Sequence, residues 1–354
     1  MKPLKLTYNR VWRTYIGGKA IDAFYNNELQ EDGHHPEVWI ASTTTAINPE
    51  FIENEGLSMV DASDKSLADL IQEDPISYLG EKHINSFGET TGLLVKFLDA
   101  AERLTIQVHP NKKMAMDLFN SQFGKTEAWY IMEGRDVDGE APHIYFGFKE
   151  GIDKDEWKVL FEKQDIQGML DGLNKIYVKP GDVFLIEGGL PHAIGTGCFL
   201  LEIQEPTDLT IRIEKITPGG YEIPDRICHQ GLGFDKMFEC FEYNGYNEEE
   251  IIKKWRLIDG TKTTNDTSLI TYEDTKCFSL EVYRIEDCID ISHVEGYSIL
   301  VVLDGEGEII TNGETLKINK GDQLFVPALA EELSIKSTCH DKELKVIRCL
   351  PPIK

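Results

Sequence analysis

Thr105-Ile106-Gln107-Val108-His109-Pro110 and, much later, Leu190-Pro191-His192-Ala193-Ile194-Gly195-Thr196-Gly197 are the two stretches on which the reading of this chain turns. Alternate side chains of an extended strand share a face, so Gln107 and His109 point one way and Val108 the other. One strand can thus deliver two ligands to one metal. Between the two stretches, Gly124-Lys125-Thr126-Glu127-Ala128-Trp129-Tyr130 places Lys125 and Glu127 on a common face of a predicted strand. If the sheet curls into a barrel, one amide oxygen, two imidazoles and one carboxylate converge. Such a mixed nitrogen and oxygen set suits a borderline divalent ion such as zinc.

Around these stretches the pattern is strand-rich. Strands are predicted over 36–42 and 93–98, helices over 66–81 with a break at Pro75, over 111–123, over 154–173 and over 248–256. From Ile176 the chain reads as strands and tight turns, with Val178-Lys179-Pro180-Gly181-Asp182 as one turn. Residues 261–268 are polar and linker-like, and 278–349 is again nearly all strand and turn. This last region repeats the earlier one. Glu127-Ala128-Trp129-Tyr130-Ile131-Met132-Glu133-Gly134 matches Ser298-Ile299-Leu300-Val301-Val302-Leu303-Asp304-Gly305, and the 178–182 turn matches Ile318-Asn319-Lys320-Gly321-Asp322. Two copies of one β-barrel unit are implied. At the ligand positions Glu127 faces Ser298 and His192 faces Glu332, so a working metal site belongs to the first copy.

The chain has 354 residues, room for two domains and a sizeable core. A formal charge of −26 argues against a nucleic-acid partner, since phosphate backbones need a basic footprint. An anionic small substrate must therefore meet a local cluster of cations, and Lys96, Arg103, Lys112, Lys113, Lys125 and Arg212 lie near the candidate segments. No run approaches the ~20 apolar residues that span a bilayer, and the start lacks a signal-peptide core, so a cytoplasmic protein without a membrane partner is expected. The seven cysteines are widely spaced and form no Cys-x-x-Cys pair. They are expected to be buried small hydrophobes.

A lone histidine such as His109 or His192 is more often a half-buried residue than a ligand. Glu127 within an aromatic strand is harder to dismiss, because a carboxylate there must be paired or bound to metal. The remaining histidines, at 34, 35, 83, 143, 229, 293 and 340, lack comparable context. In the segment 201–212, Glu205 and Asp208 read slightly better as parts of a solvated hairpin than as catalysts. Arg212 would suit an electrostatic clamp on an anionic or carbonyl substrate.

At these residues the chain resembles the type I phosphomannose isomerases of the cupin superfamily, in their short bacterial form. The likeness is carried by Leu94-Val95-Lys96-Phe97-Leu98-Asp99-Ala100-Ala101, Ile106-Gln107-Val108-His109-Pro110, Gly124-Lys125-Thr126-Glu127-Ala128-Trp129-Tyr130-Ile131, Leu190-Pro191-His192-Ala193-Ile194 and the Glu202 to Arg212 stretch. It departs where the family's usual Trp-Gly-Gly appears as Arg13-Thr14-Tyr15-Ile16-Gly17-Gly18, and where Thr105 stands in place of a frequent Ser. The resemblance implies a mainly β fold of two cupin-type jelly-roll barrels with helical insertions packed on the N-terminal one. The expected division is a catalytic domain over 1–245 and a degenerate, metal-free cupin domain over 246–354. It further implies zinc held by Gln107, His109, Glu127 and His192, a catalytic Arg212 with Glu202 as candidate base, and Lys125 and Thr105 near a sugar phosphate. Lys125 and Asp208 remain open as alternatives for the base.

The expected activity is interconversion of mannose 6-phosphate and fructose 6-phosphate through an enediol, in a monomer or weak homo-oligomer. Two rivals stand beside it. One is a metal cupin of other chemistry, an epimerase or oxygenase, since cupin folds host many reactions. The other is a non-catalytic sugar-binding or regulatory protein that has kept the metal site.

Overall fold

Strands dominate the chain and pair antiparallel into four open sheets among the described residues. The computed structural model describes residues 1–48, 52–261, 268–292, 296–311, 314–330, 332–339 and 343–354. The predicted linker over 261–268 falls almost wholly outside them, as do His293 and His340. No helix among the described residues is long and apolar enough to cross a membrane.

The chain folds into two compact units, one of Met1–Arg10, Val38–Val95 and Thr264–Lys354, the other of Val11–Glu37 and Lys96–Thr263. The second unit carries every predicted site residue. Its five-stranded sheet runs in the order Ile211–Arg212, Gln107–Val108, His192–Ile194, His143–Phe148, Leu173–Tyr177. Register fixes the face. Gln107 is paired with His192 on one side and with Arg212 on the other, so these three side chains form a row across three strands. In another sheet, Glu127–Gly134 lies between Val183–Ile186 and Cys198–Gln204. Glu127, Trp129 and Ile131 alternate onto one face, and Trp129 and Ile131 join a core with Phe184, Ile186, Leu200, Phe146 and Ile194. Glu127 is thereby aimed into a largely apolar interior.

The unit that holds the C-terminal strands has its own core of Leu300, Val302, Ile309, Ile335, Leu344 and Val346. The sequence repeat is visible in its local structure. Gly181 and Gly321 both turn at φ 91°, and the aspartate that follows each accepts from the backbone N–H three residues earlier, Asp182 from Lys179 at 3.0 Å and Asp322 from Asn319 at 2.8 Å. Glu127 pairs with Ile186 as Ser298 pairs with Val326.

Most helices form where predicted, with one difference. The segment 66–81 breaks at Pro75 as expected, into Leu67–Glu73 and Pro75–Leu79, the first opened by a Ser66/Asp69 capping box and the second by Asp74. The single helix expected over 154–173 is two, Lys154–Lys163 and Ile166–Asp171. Gln164 takes a left-handed conformation, φ 49°, and Asp165 caps the next turn by accepting from Gly168 N–H, so capping overrides the continuous apolar period. The cysteine expectation needs a similar correction. Cys198, Cys228, Cys240 and Cys349 are buried, but Cys277 and Cys339 are half-buried and Cys288 is exposed.

Candidate active site

Two tight contacts set the predicted ligands against each other. Gly188, where a Cβ would lie 2.5 Å from the Asn111 Cα, and Gly189, at φ 100°, make the turn before His192. Gly189 N–H donates to His109 O at 2.7 Å, which ties that turn to the chain that follows Gln107. The Lys125 loop is held from the other side. Both carboxylate oxygens of Glu205 accept from it, from Gly124 N–H at 3.2 Å and Thr126 N–H at 3.0 Å, and Thr207 Oγ1 donates to Gly124 O at 2.7 Å.

The result is a buried cluster in which the ligating atoms of His109, Glu127 and His192 lie within 4.8 Å of one another. Both imidazoles present a lone pair to it. His109 Nδ1 is 2.9 Å from Leu209 O and His192 Nδ1 is 2.9 Å from Leu190 O, and a carbonyl can only accept, so each ring carries its proton on Nδ1. Each Nε2 then faces the carboxylate, at 3.2 Å from Glu127 Oε2 and 3.4 Å from Oε1. Among the described residues neither oxygen of Glu127 accepts a hydrogen bond. Acceptors aimed at acceptors in a dry interior require a cation. The ammonium of Lys125 supplies one here, 2.9 Å from His109 Nε2 and 3.0 Å from Glu127 Oε2.

Electrostatics agree with that arrangement. Burial, reinforced by Lys125, pushes His109 down to about 4, and burial lowers His192. Burial would raise Glu127, but Lys125 and the two imidazoles outweigh it and hold the carboxyl well below its usual range. Two neutral imidazoles and a carboxylate are the ionisation states a divalent ion needs. Gln107 lies beside them, its Nε2 3.3 Å from His192 Nε2.

Next to the cluster opens a narrow cleft whose lining includes Thr105, Gln107 and Lys125. Four cations line it, Arg13, Lys96, Lys125 and Arg212, against three carboxylates, Glu37, Glu202 and Asp208. Glu202 is tied at both oxygens, to Lys96 Nζ at 3.1 Å and Trp129 Nε1 at 3.2 Å. Glu37 is also held at both, by Arg13 Nε at 3.0 Å and Tyr15 OH at 2.9 Å. Asp208 differs. Among the described residues it accepts no hydrogen bond and has one ion pair, with Arg13 Nη1 at 3.6 Å. Burial would raise it, but Arg13, Lys96, Lys125 and Arg212 together hold it below its ordinary value. Arg212 donates to two carbonyls, Thr210 O at 3.2 Å and Ile227 O at 3.5 Å, and forms no ion pair among the described residues. Burial lowers its guanidinium, with Asp208 opposing.

A family model for the catalytic domain of type I phosphomannose isomerase matches residues 18–127, and one for the cupin domain of mannose-6-phosphate isomerase matches 268–341. Mannose-6-phosphate isomerase ManA of Bacillus subtilis (strain 168) is 30% identical over 256 residues, 71% of this chain and 75% of that one. The chain belongs to the type I phosphomannose isomerase family. The mannose-6-phosphate isomerase of Streptococcus mutans is 28% identical over 77% of this chain and 79% of its own. In fold, this family member superposes on the crystal structure of the Bacillus subtilis mannose 6-phosphate isomerase with a TM-score of 0.74 at 23% identity, covering 99% of each chain.

Of the predicted site residues, Gln107, His109, Glu127 and His192 are brought to one point, and Thr105, Lys125, Glu202 and Arg212 to the adjoining cleft. Of the other expected cations, only Lys96 joins them. Arg103 is bound bidentately to Glu214 at 2.6 and 2.8 Å, Lys113 pairs with Asp117 at 2.7 Å, and Lys112 is exposed. Neither acid lies on the expected solvated hairpin: Glu205 is buried and braces the Lys125 loop, and Asp208 faces the cleft. Arg13 and Glu37 were not anticipated. A signal existed for Glu37, a carboxylate inside the apolar run Val38-Trp39-Ile40, by the same logic that singled out Glu127.

Proposed function

We propose that this protein is a zinc-dependent aldose–ketose isomerase that interconverts mannose 6-phosphate and fructose 6-phosphate. The observation that carries the reading is the convergence of two Nε2 lone pairs and an ionised carboxylate, paired here with Lys125, beside a polar cleft. His109, Glu127 and His192 would hold zinc, with Gln107 as fourth ligand once its amide turns the oxygen inward. A donor set of two imidazoles and a carboxylate is one that holds catalytic zinc. Bound there, zinc supplies Lewis-acid polarisation worth several kcal/mol toward an enediolate.

The remaining chemistry falls to the chain itself. Arg212, the cleft cation without an ion pair among the described residues, is available to the negative charge that develops as a proton leaves carbon. Thr105 and Lys125 flank the substrate. Two carboxylates compete for the proton transfer, Glu202 and Asp208. The open lone pairs of Asp208 favour it, because both oxygens of Glu202 are already engaged.

Each strand-rich part is proposed to be a cupin barrel, the catalytic role falling within 1–245 and the metal-free role within 246–354. This is a division of roles along the sequence, whereas each compact unit is assembled from separated segments. In the second part Ser298 stands at the position of Glu127 and Arg348, paired with Leu300, at that of Glu202, paired with Trp129. With serine in place of Glu127 and, as the sequence repeat aligns it, Glu332 in place of His192, the ligand set is not reproduced there.

Turnover of mannose 6-phosphate in a coupled assay, together with elemental analysis, tests the reading. About one zinc per chain and activity abolished by a chelator are expected. A zinc-loaded protein inert on every hexose phosphate would leave a sugar sensor.

A further inference from the structure

We propose that Arg13 is a positioning residue of the isomerase, tying Glu37 and Asp208 into one ionised wall and keeping Asp208 open toward the substrate. The proposal rests on the isomerase reading above. Three features carry it. Arg13 and Glu37 are buried and Asp208 nearly so, and all three line the cleft. The guanidinium reaches both acids, through Nε to Glu37 at 3.0 Å and Nη1 toward Asp208 at 3.6 Å. Tyr15 OH takes the second oxygen of Glu37, so Glu37 is saturated while Asp208 is held by charge alone.

The backbone of Arg13 is anchored independently of its side chain. Its N–H donates to His34 O at 2.8 Å, and its carbonyl accepts from His34 Nδ1 at 2.9 Å. Beside it, Trp12 stacks on His34 with centroids 5.4 Å apart and meets the edge of Tyr221 at 5.8 Å. A substitution at position 13 therefore changes the charge in the cleft and leaves the local chain anchored.

Glu37 and Asp208 share this one guanidinium, and a buried carboxylate that loses its nearest cation is driven toward its protonated form. Lys96, Lys125 and Arg212 also bear on Asp208, but Arg13 is the largest of these influences. On Arg13 itself Glu37 and Tyr15 act from the other side. A planar fork can serve two acids at once, whereas an ammonium is a point charge that serves one well.

The test compares R13M and R13K with wild type in kcat, KM, the pH profile of kcat/KM, zinc content and thermal midpoint. R13M is expected to lose about tenfold or more in kcat with KM little changed, on the scale of a misplaced proton-transfer group. Its acid limb should move up by about one pH unit or more, the usual effect of an adjacent guanidinium on an aspartate. R13K should fall between R13M and wild type, and zinc should stay at the wild-type level in both. An R13M protein with wild-type kcat and an unmoved acid limb overturns the proposal. So does equal loss in R13M and R13K accompanied by loss of zinc and of thermal midpoint, which would mark a structural brace. Absence of turnover by the wild type overturns the isomerase reading and this proposal together, whereas active wild type beside unchanged R13M overturns this one alone.

Discussion

Arg212 and His109 show how much of the chemistry rests on the charge state that burial and its neighbours impose on a single side chain. Arg212 donates to two carbonyls and forms no ion pair among the described residues. A charge left in that state is available to an oxyanion that exists only in the transition state. Arg212→Ala should therefore lower kcat roughly a hundredfold or more, the scale of losing one oxyanion donor, with little change in KM. A rise in KM alone would make Arg212 a phosphate anchor instead. His109 makes a different prediction, for the metal-stripped protein. Its folded pKa is depressed to about 4 from an ordinary 6.5, so the unfolded chain takes up the proton first. The stability due to the neutral ring is complete above about pH 6.5 and is lost as pH falls from there toward 4, on the order of 3 kcal/mol. His192 shifts in the same direction. Urea midpoints of the zinc-free protein measured from pH 7 to pH 4 should decline through that window, and a flat profile would show that the rings are not held neutral.

Elements matter because each ligand is placed by its strand's register and by the turn at its end. Period-two alternation singled out Gln107 with His109, and Lys125 with Glu127, directly from sequence; pairing fixes the faces of Gln107 and Glu127, whereas His109 follows its strand and Lys125 sits in the loop before its own, held there by Glu205 and Thr207. The break at Gln164 was not legible, because a side-chain cap from Asp165 overrides a continuous apolar period that looks like one helix. The turn before His192 carries a direct test. A Cβ on Gly188 would meet the Asn111 backbone at 2.5 and 2.6 Å, with no flexible side chain to give way. Gly188→Ala should cost about 1–3 kcal/mol, as overpacking does, and should weaken zinc binding by displacing His192 from His109. A thermal melt paired with zinc titration checks both, and a variant with normal stability and normal zinc affinity would mean that the turn does not set the ligand spacing.

At the level of the whole molecule the cleft and the surface pull in opposite directions. The ligand cluster could be read from short motifs, since each is local to one strand. The wall of Arg13, Glu37, Lys96 and Asp208 could not, because these residues come from four separated segments and their pairing is decided only when the sheets assemble. Its consequence is a cleft in which four cations outnumber three carboxylates, within a chain of formal charge −26. A dianionic sugar phosphate approaching from solvent meets the global field first, and that field acts over distances comparable to the ~10 Å Debye length at 0.1 M salt. The cleft charges act at contact range and are enclosed, so added salt screens them far less. Raising ionic strength should therefore weaken the repulsion more than the attraction, and kcat/KM for mannose 6-phosphate should rise, by about two- to tenfold between low salt and 0.2 M, as expected for steering by net charge. The measurement is kcat/KM against the concentration of a salt whose anion binds weakly, with kcat followed in parallel to separate association from chemistry. A fall in kcat/KM with salt would mean that the cleft's own field reaches well beyond its mouth and dominates the approach.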